Sequence, residues 1–285
     1  MLATGRLRLR LTFMASVTTA QRASSTSLGP LVQPSELLGR AGGGPHGRVK
    51  FVDCSWHLGP PPRDGRAEHG AGRIEGAVFF DLDGVSDHSS GLPHMLPSAD
   101  QFAAAVGAMG ISRDDTVVCY STKASFSAPR VWWTFKCFGH PRCHVLDGGL
   151  EGWRRAGGAV ASGEALPPAP LAYEGATLVA ELVASAEDVL VASLAAGGGG
   201  SGGGVRIIDA RSAGRFDGSV PEPRPGLRGG HVPGSLNLPV ASVLAEGDTT
   251  TFRGSDELRA VFTGLGVTAG SPVRALLLGL QWLGL

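Results

Sequence analysis

The sequence predicts an α/β fold of parallel sheets covered by helices on both faces, and it predicts that fold twice. Three observations carry this reading. Short apolar runs of strand length alternate with segments of helical length, the pattern of a buried parallel sheet. Val52-Asp53-Cys54-Ser55 returns as Ile208-Asp209-Ala210-Arg211, 156 residues later. Gly110-Ile111-Ser112 returns as Gly266-Val267-Thr268 at the same spacing, and Val117 falls on Val273. A constant spacing held across most of a chain marks a duplicated unit.

In the first copy, residues 49–53 read as a buried strand and 77–80 as a second. Ser98 with Gln101 three residues later is a capping box that starts a helix through Met109. Residues 116–120 form a third strand, 130–138 a helix, and 144–147 a fourth strand closed by Gly148-Gly149. Pro167, Pro168 and Pro170 mark a linker. The second copy opens with an alanine-rich helix over 178–196, followed by strand 205–210 and a proline-punctuated loop. A strand at 235–238, a helix over 256–263 and a strand from Val273 complete it. The expected boundaries are an N-terminal segment over 1–30, a first domain over 31–160, a linker over 161–176 and a second domain over 177–285. The second domain is expected to be incomplete, since the partner of strand 144–147 would lie past residue 285.

The balanced charge, 25 basic against 25 acidic residues, argues against nucleic acid or an anionic membrane as partner. Only 4 cysteines in 285 residues are too few for a disulfide framework. The apolar tail 276–285 is shorter than the ~20 residues needed to span a bilayer. Arg6, Arg8, Arg10 and Arg22 lie among Ser, Thr and Leu, and the first acidic residue is Glu36. That composition suits an organelle transit peptide, with mitochondrial placement expected and plastid or cytoplasm as alternatives. The run 197–204 is glycine- and serine-rich and reads as a flexible surface loop.

Several longer motifs resemble the tandem-rhodanese sulfurtransferases of the mercaptopyruvate/thiosulfate type. They are Phe79-Phe80-Asp81-Leu82-Asp83, His94-Met95-Leu96-Pro97, Ser127-Ala128-Pro129-Arg130-Val131-Trp132-Trp133 and Leu146-Asp147-Gly148-Gly149. The second half adds 209–216, Pro221-Glu222-Pro223-Arg224 and 230–235. The resemblance implies two rhodanese-like domains and a double-displacement transfer of sulfur from mercaptopyruvate or thiosulfate. The carrier is a cysteine persulfide, and the acceptor is cyanide or a thiol such as glutathione or thioredoxin. It implies no cofactor. Arg215 and Arg224 match the family's substrate arginines, and a guanidinium fork suits a carboxylate. Asp83 and His94 match an Asp–His pair that serves a loop serine as orienting carboxylate and base. Arg211 reads as structural.

The family's cysteine loop follows the strand that begins at Val273, and here Arg274 and a leucine-rich tail stand in its place. Cys119 and Cys54 lie on or beside buried strands of the first copy and read as inert. Cys137, His140, Cys143 and His144 do not have the spacing of a standard zinc finger and read as a helix-to-strand turn. Arg73, where the second copy has His231, reads as a mild change without consequence. Three readings stand at this point: a sulfurtransferase by family, a non-catalytic anion-binding or regulatory module, and an imperfect gene model or splice form of an active enzyme.

Overall fold

A computed structural model describes residues 28–38, 48–58, 62–123, 125–197, 205–223, 226–271 and 273–276. The first half carries β1 (Leu31–Val32), α1 (Pro34–Leu37), β2 (Val49–Asp53), α2 (Gly65–Ala71), β3 (Arg73–Ile74) and β4 (Val78–Phe79). It continues with α3 (Leu82–Val85), α4 (Ala99–Ala108), β5 (Thr116–Tyr120), α5 (Ser127–Cys137), β6 (Cys143–Leu146), α6 (Gly149–Arg155) and β7 (Val160–Ala161). The second half carries α7 (Ala186–Gly197), β8 (Arg206–Asp209), α8 (Ala213–Asp217), β9 (Leu236–Asn237), α9 (Ser255–Gly264) and β10 (Val273–Leu276).

The first sheet is parallel, in the order β1-β6-β5-β2-β4. Its two faces follow from the period of two along each strand. Val52, Val117, Cys119 and Val145 pack with Phe102, Val106, Val131 and Phe135 of α4 and α5. Phe51, Val118, Tyr120 and Leu146 point the other way, onto Leu37, Leu150 and Trp153. Each fully buried side chain of this size stabilises the fold by about 1.5–3 kcal/mol. The capping box of α4 forms as expected, Gln101 N donating to Ser98 Oγ at 3.2 Å and Ser98 N to Gln101 Oε1 at 2.8 Å.

The repeat is visible in the strand register. β2 pairs with β5 from Lys50↔Val117 to Asp53↔Tyr120, and β8 pairs with β10 from Arg206↔Val273 to Asp209↔Leu276. Every number in the second set is 156 higher than its counterpart. β4 and β9 also correspond, with Val52↔Val78 matched by Ile208↔Leu236. The described residues of the second sheet hold three strands, in the order β10-β8-β9. Val189 and Ala192 of α7 cover Ile207, and Val261 and Phe262 of α9 cover Ile208 on the opposite face.

Some expectations change. The helix foreseen from residue 178 starts at Ala186, because Ser185 caps it: Ser185 N donates to Asp188 Oδ2 at 2.8 Å and Asp188 N to Ser185 Oγ at 3.1 Å. Ahead of it stands one 3-10 turn, Ala180–Leu182. The linker is docked along the first domain. Tyr173 is buried against Phe102, Leu171 N donates to Gly107 O at 2.9 Å, and Val179 N donates to Cys137 O at 2.7 Å. A Cβ on Gly107 would lie 2.4 Å from Leu171 O, so glycine is what admits this close approach. Arg73 is buried and donates to Gly163 O at 2.8 Å, which ties down the start of the linker. Its presence in place of histidine therefore has a structural consequence. The N-terminal Arg-rich segment through residue 27, the glycine-rich run 198–204 and the tail 277–285 lie outside the described residues. Among the described residues no helix is long and apolar enough to cross a membrane.

Candidate active site

The two halves meet at the C-terminal ends of their sheets. Asp147, at the end of β6, holds the junction. Its Oδ1 accepts Phe252 N at 2.8 Å and its Oδ2 accepts Gln33 Nε2 at 2.8 Å. Gly148 N donates to Thr250 O at 3.0 Å, and Phe252 packs on the first core. Asp248 shapes the Thr250–Thr251 turn by accepting from both residues. Burial opposes its ionisation, but these hydrogen bonds hold its carboxyl well below the usual range. Between the halves lies a cavity of about 440 Å³. Trp56, Phe126, Ser127 and Arg130 wall it on one side, and Arg211, Arg215, Leu244 and Phe252 on the other.

The structure brings Asp83 and His94 side by side. His94 Nδ1 lies 3.2 Å from Asp83 Oδ1, with the imidazole buried and the carboxylate exposed. His94 takes a left-handed φ of 54°, which a non-glycine residue adopts only when its surroundings hold it there. Two neighbours do so. Arg130 Nη2 donates to His94 O at 2.8 Å. Trp56 presents its ring edge-on to the imidazole at 4.7 Å, and its Nε1 donates to Asp83 Oδ2 at 2.8 Å. Trp56 and Arg130 also line the cavity, so they link the pair to it. Both residues were missed as site residues. Burial pulls the Arg130 guanidinium down to about 9, and it stacks on Trp133 at 4.6 Å.

The first half's own loop, 121–127, is closed in on itself. Ser121 Oγ donates to Ser125 O, Ser125 Oγ to Trp56 O, and Ser127 Oγ to Cys54 O. Thr122 N donates to Ser55 Oγ at 2.9 Å. Gly149 sits so close that an added Cβ would lie 2.2 Å from Ser121 O.

In the second half, Arg215 lies on the cavity wall, but its guanidinium is already engaged. Its Nη2 donates to Glu222 Oε2 at 2.5 Å and its Nε lies 3.2 Å from the same oxygen. Arg211 is structural, as expected. It grips Asp209 through Nε and Nη2, donates to Gly230 O, and reaches Glu222 Oε1 at 2.9 Å. The hydrogen bonds to Asp209 raise its affinity for its proton further. Glu222 is a third residue that the sequence reading passed over. Arg224 lies outside the described residues.

All four cysteines are buried in the first half. Cys119 Sγ lies 3.9 Å from Cys143 Sγ, and Cys54 Sγ donates to Val52 O. Burial pushes the Cys54 and Cys143 thiols well up and Cys137 up to about 12. Burial opposes ionisation of Cys119 too, but hydrogen bonds with Cys143 and Cys54 outweigh it and bring this thiol down to about 6, against the upward shift expected of a buried strand cysteine. Even so, Cys119 has no exposed surface from which to attack a donor. His140 spends both ring nitrogens, on Tyr173 Oη and Asp115 O, and His144 Nδ1 faces Gly29 O. Those two histidines and the neighbouring cysteines thus serve packing, and no metal-binding group of three occurs among the described residues.

Comparison with known proteins gives the same family. The family model for the rhodanese-like domain matches residues 36–156. A probable 3-mercaptopyruvate sulfurtransferase of Schizosaccharomyces pombe is 41% identical over 221 residues, 78% of this chain and 72% of that protein. The mitochondrial thiosulfate/3-mercaptopyruvate sulfurtransferase 1 of Arabidopsis thaliana is 39% identical over 239 residues, 80% of this chain and 62% of that protein. The crystal structure of SseA, a 3-mercaptopyruvate sulfurtransferase of Escherichia coli, superposes with a TM-score of 0.73 at 34% identity, covering 87% of this chain and 88% of that one. On sequence and fold together, the chain belongs to the rhodanese-like 3-mercaptopyruvate sulfurtransferase family.

Proposed function

We propose that the chain binds an α-keto carboxylate sulfur donor of the 3-mercaptopyruvate class between its halves, and that its sequence lacks the thiol needed to carry the sulfur onward. The observation that supports binding is Arg215, a half-buried guanidinium on the cavity wall that Glu222 holds by its Nε–Nη2 edge. Planar carboxylates are matched by such a fork. Arg224 is proposed as its companion on the strength of its motif.

The transfer chemistry needs a thiolate at the loop that follows β10. Attack on the donor sulfur forms an S–S bond and breaks the C–S bond. The electron pair leaves as the enolate of pyruvate, which takes up a proton. The persulfide then passes its outer sulfur to a thiol acceptor such as glutathione or thioredoxin. Asp83 and His94 are read as the remnant of the relay that would orient and deprotonate a loop hydroxyl. By the register of the repeat, Ser121 corresponds to Leu277, and no cysteine follows Cys143 in the sequence. The non-catalytic alternative, an anion-binding module, is favoured by the same facts. Mitochondrial placement is inferred from the arginine-rich N-terminus.

The test pairs two assays on the full chain. Calorimetric titration with pyruvate is expected to show binding, and incubation with 3-mercaptopyruvate and dithiothreitol is expected to release no pyruvate above the protein-free rate. Absence of binding would sink the site assignment. Turnover would sink the claim that the carrier thiol is missing.

A further inference from the structure

Asp209, Arg211, Glu222 and Arg215 form one line of alternating charge, buried at Asp209 and half-buried beyond it, that runs from the end of β8 to the cavity wall. Their side chains are 1%, 10%, 4% and 13% exposed, respectively. Asp209 grips Arg211 at 2.6 Å, Arg211 reaches Glu222 at 2.9 Å, and Glu222 holds Arg215 at 2.5 Å. We propose that Glu222 is the specificity-determining residue of this site: it fixes the Arg215 fork so that the cavity selects a planar carboxylate over a simple anion. The proposal rests on the reading that Arg215 receives the donor's carboxylate.

Three features argue for it. First, Glu222 is the only member bonded to both arginines; its two oxygens accept from Arg211 Nη1 and from Arg215 Nε and Nη2. Without it, two guanidiniums would face each other in a weakly solvated wall and repel. Second, its backbone is preset, because Pro221 and Pro223 flank it and a residue before proline is driven extended. Third, the brace uses one N–H each of Arg215 Nε and Nη2, so the end of the fork formed by Nη1 and the second Nη2 N–H is the part that can meet a carboxylate in its plane. The four charges sum to zero, so the line attracts an anion by the position of its last cation and not by net charge. An incoming carboxylate becomes the fifth member of the alternation. A spherical halide gains nothing from the fixed plane.

The experiment is competition calorimetry on the full chain, with sodium pyruvate as the carboxylate probe and sodium chloride as the simple anion. Two variants separate charge from geometry. Glu222→Gln leaves a net positive line, so chloride binding is expected to strengthen. Glu222→Asp keeps the charge but is one methylene short of spanning both arginines, so chloride binding is expected to stay as in the parent. In both, the preference for pyruvate over chloride is expected to fall about tenfold or more. Retention of that preference in either variant overturns the proposal. Loss of folding in both, read by circular dichroism, assigns Glu222 to structure and also overturns it. Arg215→Met tests the underlying reading separately. Unchanged pyruvate binding in Arg215→Met removes the site itself, whereas lost binding there with an unchanged preference in the Glu222 variants removes only the role of Glu222.

Discussion

Replacing Asp147 with alanine tests whether the junction that frames the cavity is held as described. The carboxylate of Asp147 is almost fully buried and accepts two hydrogen bonds at 2.8 Å, from Phe252 N and Gln33 Nε2. Hydrogen bonds to a charged group contribute about 1.5–3 kcal/mol each, and the alanine leaves two donors without their acceptor. Taking the lower end for each bond, the expected loss is about 3 kcal/mol, a large share of the ~5–15 kcal/mol that holds a typical domain. Asp147→Asn keeps an acceptor for Phe252 N and should lose about 1 kcal/mol. Urea unfolding followed by far-ultraviolet circular dichroism gives both values, and hydrogen exchange at the Phe252 amide localises the effect. Because two halves are coupled here, the alanine variant should also broaden the transition or split it. A change below about 0.5 kcal/mol, with Phe252 exchange unaltered, would refute the reasoning.

Three further outcomes follow from the structure. Burial pulls His140 down to about 4 from an ordinary value near ~6.5, so protonation favours the unfolded chain; its contribution of about 3 kcal/mol is complete above pH ~6.5 and is lost as the pH falls toward 4. An imidazole titration by NMR that places His140 at or above its ordinary value contradicts this. Gly149→Ala must adopt a φ of 52° and place Cβ 2.2 Å from Ser121 O, so a destabilisation of more than about 2 kcal/mol is expected from thermal unfolding, and near-parent stability contradicts it. Finally, all four thiols are buried, so Ellman's reagent should label the native protein only on the timescale of unfolding and should count four thiols in denaturant. Rapid labelling of any one thiol in the native state speaks against the inert assignment.

The parts of this molecule that the sequence disclosed are those governed by local periodicity. Residues 116–120 are buried on both faces of the sheet, and their continuous apolar run gives the strand directly. The α4 cap and the 156-residue repeat are likewise written in adjacent residues or in a fixed spacing. Two-residue strands such as β3 and β7 carry no periodic signal, and their pairing joins residues far apart in the chain. Pro167, Pro168 and Pro170 mark the linker because prolines exclude regular structure; only the fold shows that Leu171 and Tyr173 within it are bonded to the first domain. The Asp83–His94 pair was legible by motif, yet Trp56 and Arg130, which hold it, come from separate segments. Arg215 was legible as a cation, but a sequence cannot say which carboxylate meets it, and so Glu222 stayed hidden.

The central claim is that this chain keeps a carboxylate site of its family without a thiol that can carry sulfur. The most direct measurement is intact-protein mass spectrometry of the full chain after incubation with 3-mercaptopyruvate, with pyruvate release followed in parallel. The account predicts an unchanged mass and no pyruvate above the protein-free rate. A one-sulfur mass increase, mapped to any cysteine and discharged by a thiol acceptor, would contradict it.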